Sequence, residues 1–405
     1  MSLLLQECRQ ISKSIIYFVF IGVIVLFNVT QIGDSVGSDI REAQHPSEYN
    51  SKNPLMKPPA NTENYGTREA EIPEQVMPAA IDSLVLEYED NQYVTYPIGF
   101  YKNVILSQEE QTKIASILKE ITGLEPASYP AFKEKMAEVD DILGGGSKYA
   151  PEKLKSFGQA PITYQEKLAE YNTFIQEDQI SGAYARLFCD YMGITVSLFS
   201  IFVPVAYLSR DRRARMNELL YSRKCSSTRL IITKYIALIV MMLLPFILLS
   251  LIPLTQLLGY GMDQHLTVDV WAYLKYMIAW LLPTLMTTTA VGFVLTTLTD
   301  TPIAIAVQFL WSYMDLLMTM NRLNGGGYGA ELSIRHNSLF NLQEMKDGIQ
   351  VLVINRVAYV LLSLVLVSVT ILIYELKRRG RLNFHGHFRK IFRHRQGANQ
   401  TNTSY

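Results

Sequence analysis

Charge is scarce in this chain of 405 residues. Asp, Glu, Lys and Arg make up 18% of it and hydrophobic residues 49%, whereas soluble domains carry roughly 25% charged residues. Cysteine is scarcer still: only Cys8, Cys189 and Cys225 occur, near or within apolar runs or in a basic stretch. The long acidic segment 34–185 has none, so it has no disulfide framework. Catalytic patterns are missing from the apolar runs, which contain no Glu-x-x-His, His-Glu-x-x-His or Gly-x-Ser-x-Gly, and all six His fall in loops or the tail. That argues against an intramembrane enzyme. A phosphate-binding loop is missing too. "GGGSKYAP" has glycines and Lys148, but Tyr149 follows where Ser or Thr is required, and "NGGGYG" at 324–329 reads equally as a turn.

What the chain has is long apolar runs. A bilayer-crossing helix needs about 20 apolar residues, and six segments qualify: 14–33, 187–208, 230–254, 270–298, 302–320 and 351–374. Only "TDT" separates the fourth and fifth, which predicts a tight helical hairpin. The first run is too long for a signal-peptide core and no small-residue cleavage site follows it, so it reads as a retained span. Before it, residues 1–13 place Leu3, Leu4, Leu5 and Ile11 alongside Arg9 and Lys13. That suits a helix lying on the cytoplasmic surface; an unstructured N-terminus is the other reading.

The net charge is zero, but the charge is segregated. Segment 34–185 holds 25 acids and 13 bases, leaving 12 acids and 24 bases elsewhere. This pattern fits a membrane protein with distinct sides better than a nucleic-acid binder. Eight Lys/Arg lie within 209–234 and eight more in the tail after 374. Positive-inside bias puts both stretches, and therefore both termini, in the cytoplasm, with 34–186 outside the cell membrane. In that outer segment, 34–80 reads as irregular. "SLVLEYEDNQYVTYPIGF" reads as a hairpin around Asp90-Asn91. Ser107 with Glu110 opens a helix that ends at Gly123, and a second helix over 130–143 stops at the Gly triplet. A third starts near Thr163 and is expected to continue into the second span. The fold class is an all-α polytopic membrane protein: six spans, a cytoplasmic surface helix, and a mostly helical external domain between spans 1 and 2.

Positive-inside bias explains why 209–234 is basic. It does not explain a second pattern there. Over 211–223, Met216, Leu219, Leu220 and the stem of Arg223 share one arc at helical spacing, with Glu218 opposite. Such a helix either docks its apolar arc in a partner's groove or lies on anionic lipid through its arginines. The run "RDRRARMNELLYSR" followed by "SSTRLIITKY" resembles the type-2 ABC exporter permeases, at Asp211, Arg212, Glu218, Leu219, Leu220, Ser222, Arg229, Lys234 and Tyr235. It departs from them at Lys224-Cys225, where the family often has proline. The tract from "YARLFCDYMGI" to "YSRKCSS" is most similar to permeases of Gram-positive bacteria. The resemblance implies an exporter half with a second permease, identical or a sister. It also implies an ATPase on another polypeptide, docked through Asp211, Arg212, Met216, Glu218, Leu219, Leu220 and Ser222. ATP and Mg would sit on that ATPase, so this chain would be neither an enzyme nor a cofactor binder.

Within the spans, Thr287, Thr288, Thr289, Thr296 and Thr297 suit helix packing or a lined path. Asp315 is the acid placed well inside a run, and Arg356 sits at a similar depth. An intramembrane ion pair between them is expected, with a substrate or cation contact as the alternative. Pro204, Pro245 and Pro283 would kink their helices. A membrane sensor whose external domain binds a ligand is the competing function, weakened by the lack of an attached output domain. The substrate is open: an antimicrobial peptide, a drug-like amphiphile, a lipid-linked molecule or sodium.

Overall fold

The computed structural model describes residues 3–49, 54–61, 65–97, 101–213, 226–319 and 328–381. The chain divides into two compact units, one of residues 1–41 with 174–405 and one of residues 42–173.

The first unit is helical. In chain order it contains α1 (Leu3–Ile11), α2 (Ile15–Gln31) and α3 (Ser35–Gln44). After the second unit come α8 (Ser181–Phe199), α9 (Phe202–Arg213), α10 (Ser227–Gln264) and α11 (Ala272–Tyr276). The unit ends with α12 (Leu282–Thr299), α13 (Ile303–Thr319), α14 (Leu342–Asp347) and α15 (Ile349–Arg378). Five stretches are long and apolar enough to cross a bilayer: Ile15–Gln44, Ser181–Arg210, Ser227–Gln264, Ala272–Thr299 and Ile349–Arg378. A sixth apolar helix, Ile303–Thr319, is shorter. The surface is the inverse of a soluble protein's, with Leu26, Leu248, Leu310, Leu361 and Val365 outward and buried Thr, Ser and Asp within.

The helices overrun the apolar runs that define them. α10 has 38 residues, about 57 Å at 1.5 Å per residue. It continues ten residues past the expected end because "QLLGYGMDQ" stays helical until His265 turns left-handed. The first span runs through Gly33 into α3, where irregular chain was expected, and Asp34 there bonds Arg41 at 2.9 Å and Gln256 at 2.7 Å. The expected hairpin turn is present: Asp300 is left-handed after α12, and α13 starts at Ile303. Pro204 sits in the first turn of α9, just past a break at Ser200–Ile201. The Ser197 carbonyl, in the last turn before that break, accepts from Gln308 at 2.9 Å and Ser312 at 2.8 Å. These α13 side chains satisfy a carbonyl of the kind that helix ends leave open. Pro283 follows a widened turn at Met277–Leu281.

The second unit holds α4 (Pro73–Asp90), α5 (Gln108–Ile121), α6 (Tyr129–Ile142) and α7 (Tyr164–Asn172). It also has short strands β1 (Thr67–Glu69), β2 (Tyr93–Thr95), β3 (Lys102–Val104) and β4 (Gln159–Pro161), paired antiparallel as β1–β4 and β2–β3. Two expectations change. Residues 73–90 are helical, because Val76, Met77, Ala80 and Leu84 bury at spacings of three and four where a strand would need two. The hairpin therefore starts only at Tyr93, after the left-handed cap Asn91. The helix from Thr163 does not run into the second span either: Gln179 and Ile180 both have positive φ and break the chain before Ser181. The Ser107 capping box is as read, and a second one opens α7 at Thr163. Glu110 bonds back to Ser107, and Glu166 to Thr163, and these bonds hold both carboxyls below the usual range.

The glycine triplet that stops α6 is left-handed throughout. Gly146 also bonds Tyr96 N–H through its carbonyl at 3.0 Å, and a Cβ added there would sit 2.6 Å from the Tyr96 backbone. A Cβ at Gly145 would meet nothing within 4 Å. Gly145→Ala should therefore cost only the left-handed strain, about 1–2 kcal/mol, and Gly146→Ala clearly more. Thermal unfolding of purified variants, followed by protease cleavage within 42–173, tests this. Equal midpoint shifts would refute the close-approach account.

Candidate functional site

Between α13 and α14, residues 328–341 form neither helix nor strand. Leu332, Ser333, Ile334 and His336 are nonetheless buried. Packed against helices, such a backbone has no ladder of its own, and each peptide group needs an outside partner. Side chains supply them. On α13, the Asp315 carboxylate accepts from the N–H of Leu332 at 2.7 Å and of Ser333 at 2.9 Å. On α15, Arg356 donates to the carbonyls of Glu331 at 2.6 Å and Leu332 at 3.2 Å. The same guanidinium reaches the Trp280 carbonyl at 3.2 Å and the Thr284 hydroxyl at 3.0 Å. Asn355 donates to the Gly329 and Glu331 carbonyls, Tyr359 to that of Ala330, and Thr284 to that of Leu332.

The expected ion pair takes a different form. Asp315 and Arg356 grip the same segment, one by its N–H groups and the other by its carbonyls, and no ion-pair contact joins them directly among the described residues. A direct pair in this region joins Asp190 on α8 to Arg335, at 2.8 and 3.2 Å. Asp190 also accepts from the His336 N–H at 2.5 Å. Four residues earlier, fully buried Arg186 pairs with Asp178 at 2.7 and 3.1 Å and donates to the carbonyls of Leu339 and Phe340. The His336 ring donates from Nε2 to the Phe340 carbonyl at 2.9 Å, leaving Nδ1 facing Tyr328 at 3.3 Å. Sequence reasoning missed Arg186 and Asp190. Their signal was present, since "YARLFCDYM" carries two charges four apart at the head of an apolar run. Starting the span at Leu187 left Arg186 outside it, and Asp190 was passed over in favour of Asp315.

A second polar cluster lies where α9 ends and α10 begins. Asp211 and Arg212 occupy the last turn of α9. Met216, Glu218, Leu219, Leu220 and Ser222, with the rest of 214–225, lie outside the described residues. Both flanks of that stretch are tied down. Tyr207 on α9 bonds buried Glu7 of α1, while Arg210 donates to Gln10 at 2.7 Å and lies 4.9 Å from the Tyr207 ring. Lys234 of α10 lies 5.4 Å from the same ring. Ser226 caps α10 by accepting from Arg229 N–H, and Tyr235 donates to the Met286 carbonyl at 2.8 Å. Nearby, Ser227 bonds Glu375, and Lys377 bonds Asp300 at 2.6 Å. No group of three or more His, Cys, Asp or Glu able to hold a metal occurs among the described residues.

These features define a multi-pass membrane protein with a backbone segment clamped between its helices. The sequence model of the family described as ABC-2 family transporter protein matches residues 10–374, and the chain belongs to that family. It is thus a permease component of an ABC transporter, not itself catalytic. No curated protein and no solved structure matches it.

The two kinds of clamp respond differently to substitution. Arg335→Gln leaves the Asp190 charge buried and alone, which costs about 3–5 kcal/mol; Asp190→Asn with Arg335→Gln should recover much of that. Asp315→Asn with Arg356→Gln should recover nothing, because each side chain serves different peptide groups. Folded yield and melting temperature in detergent check both cycles. Recovery in the second would mean that Asp315 and Arg356 pair directly.

Proposed function

We propose that the chain is the membrane-spanning permease subunit of an ABC exporter, coupled to a separate ATP-binding subunit through a helix at 211–223. The observation that carries this reading is the tied joint at the base of that stretch. Tyr207 on the outgoing helix is packed between Arg210 and Lys234, the latter on the returning helix, and is bonded to Glu7 of α1. A push on residues between 211 and 225 therefore acts on α1, α9 and α10 together. The Asp211, Arg212, Glu218, Leu219, Leu220, Ser222 pattern of the family occupies that stretch. ATP and Mg belong to the ATPase, and a second permease, the same chain or a sister, completes the path. α13 serves as a sixth span, α1 lies on the cytoplasmic surface, and both termini are cytoplasmic. The acidic segment 34–186 is then extracytoplasmic, in the plasma membrane of a Gram-positive cell.

Replacing Leu219 and Leu220 with Ser removes burial worth on the order of 1.5–3 kcal/mol each if both are fully buried at the contact. Half of that still weakens docking about tenfold or more. Insertion should be normal, while co-purification of the neighbouring ATPase and stimulation of its ATP turnover should fall. An intact complex with unchanged turnover would end the coupling reading. If anionic lipid rather than the ATPase holds this helix, loss of Arg212, Arg213 and Arg215 should matter most. Orientation is read separately: a cysteine at exposed Ser107 should label in intact cells with an impermeant thiol reagent, and labelling only after lysis would invert the topology.

A further inference from the structure

A groove of about 460 Å³ opens between α2, α9 and α13, lined by Ile16, Phe202, Val205, Ala206, Pro302 and Ile305. Ser209 and Asp300 line it as well, so the groove has an apolar wall and a polar part. Exposed Ile16 and Phe202 contribute to that lining. Its elements are the first turn of α2, α9 from Phe202 to Ser209, the "TDT" turn and the start of α13.

The charge beside it is positive. Asp300 is already bonded to Lys377 at 2.6 Å, and the two cancel. Arg210, next to Ser209 and exposed, has neutral partners among the described residues: the Gln10 side-chain oxygen at 2.7 Å and the Tyr207 ring at 4.9 Å. Lys13, exposed three residues before Ile16, adds another cation. An apolar slot beside cations with no acidic partner among the described residues fits one chemistry, an acyl chain bearing an anionic headgroup, and arginine is the side chain best matched to phosphate oxygens. We infer that this groove is a binding site for an anionic phospholipid of the surrounding bilayer, its acyl chain along Val205 and Ala206 and its phosphate on Arg210. The inference rests on the proposed orientation, with the basic stretch at the cytoplasmic leaflet. A headgroup on Arg210 would draw that side chain from Gln10 of α1, so lipid composition would reach the joint that carries ATPase force.

The test reads lipid, not transport. Full-length protein purified in detergent is offered equal phosphatidylglycerol and phosphatidylcholine, and retained lipid is counted by native mass spectrometry. Wild type should keep one phosphatidylglycerol in preference to phosphatidylcholine. Arg210→Gln, an exposed change, should cut that preference about tenfold, the worth of a charge-assisted hydrogen bond. Ala206→Trp, which fills the slot, should abolish retention with the melting temperature kept. Equal retention of both lipids by wild type, or wild-type retention by Arg210→Gln, overturns the proposal. So does self-cross-linking of a cysteine at Ser209, which would mean that a second copy covers the groove. Because no step depends on the ATPase, loss of the coupling reading would leave these outcomes unchanged.

Discussion

A peptide backbone that turns back between apolar helices loses the water that would otherwise satisfy it, and a missing hydrogen bond there costs several kcal/mol. Residues 328–341 meet that constraint with the side chains of four helices. α8 contributes Asp190 and Arg186, α12 Thr284, α13 Asp315, and α15 Arg356, Asn355 and Tyr359. Among the described residues, the buried charges Arg186, Asp190, Asp315 and Arg356 all go to this one segment. The packing of α12 against α15 follows from the same bonds, since Arg356 reaches past the segment to Trp280 and Thr284. Thr287 extends the seam by donating to the Tyr359 carbonyl at 3.0 Å.

Much of the helical framework was legible because apolar runs announce themselves by length, and capping boxes by their residues. Ser107 with Glu110 starts a helix where it should, and the helix expected near Thr163 starts there. Helix ends were harder, because a helix continues past its apolar run wherever nothing breaks it, as α10 does to Gln264. Residues 73–90 failed for another reason. "SLVLEYED" alternates like a strand, and only the burial of Met77, Ala80 and Leu84 on one side distinguishes a helix. The clamp was half legible. Asp315 and Arg356 stood out as costly charges, but their partners are peptide groups, which no side-chain pattern records. Of the threonines on α12, Thr287 and Thr288 bond neighbouring helices or their own backbone, as packing residues do.

The joint between α9 and α10 has the opposite character. Its described contacts are mixed: an aromatic ring beside two cations, a carboxylate on a phenol, and a glutamine on an arginine. Such contacts hold direction while tolerating small displacements, whereas the clamp, built from paired charges and peptide bonds, resists them. One end of the helical unit is made compliant and the other stiff. That division suits the proposed coupling, in which work would enter at one side of the membrane and appear at the other.

The order in which the clamp is synthesised has its own consequence. Asp190 and Thr284 leave the ribosome first, then Asp315, then the segment they hold, and Arg356 last. Until α15 has been made as far as Arg356, the Glu331 carbonyl lacks its donors Asn355 and Arg356, and the segment is held from one side only, by residues made earlier. Completion of the membrane part and closure of the clamp are therefore one event in biogenesis. A chain stalled or cut between Thr319 and Arg356 would carry open peptide groups among its helices, a mark by which unfinished molecules differ chemically from finished ones.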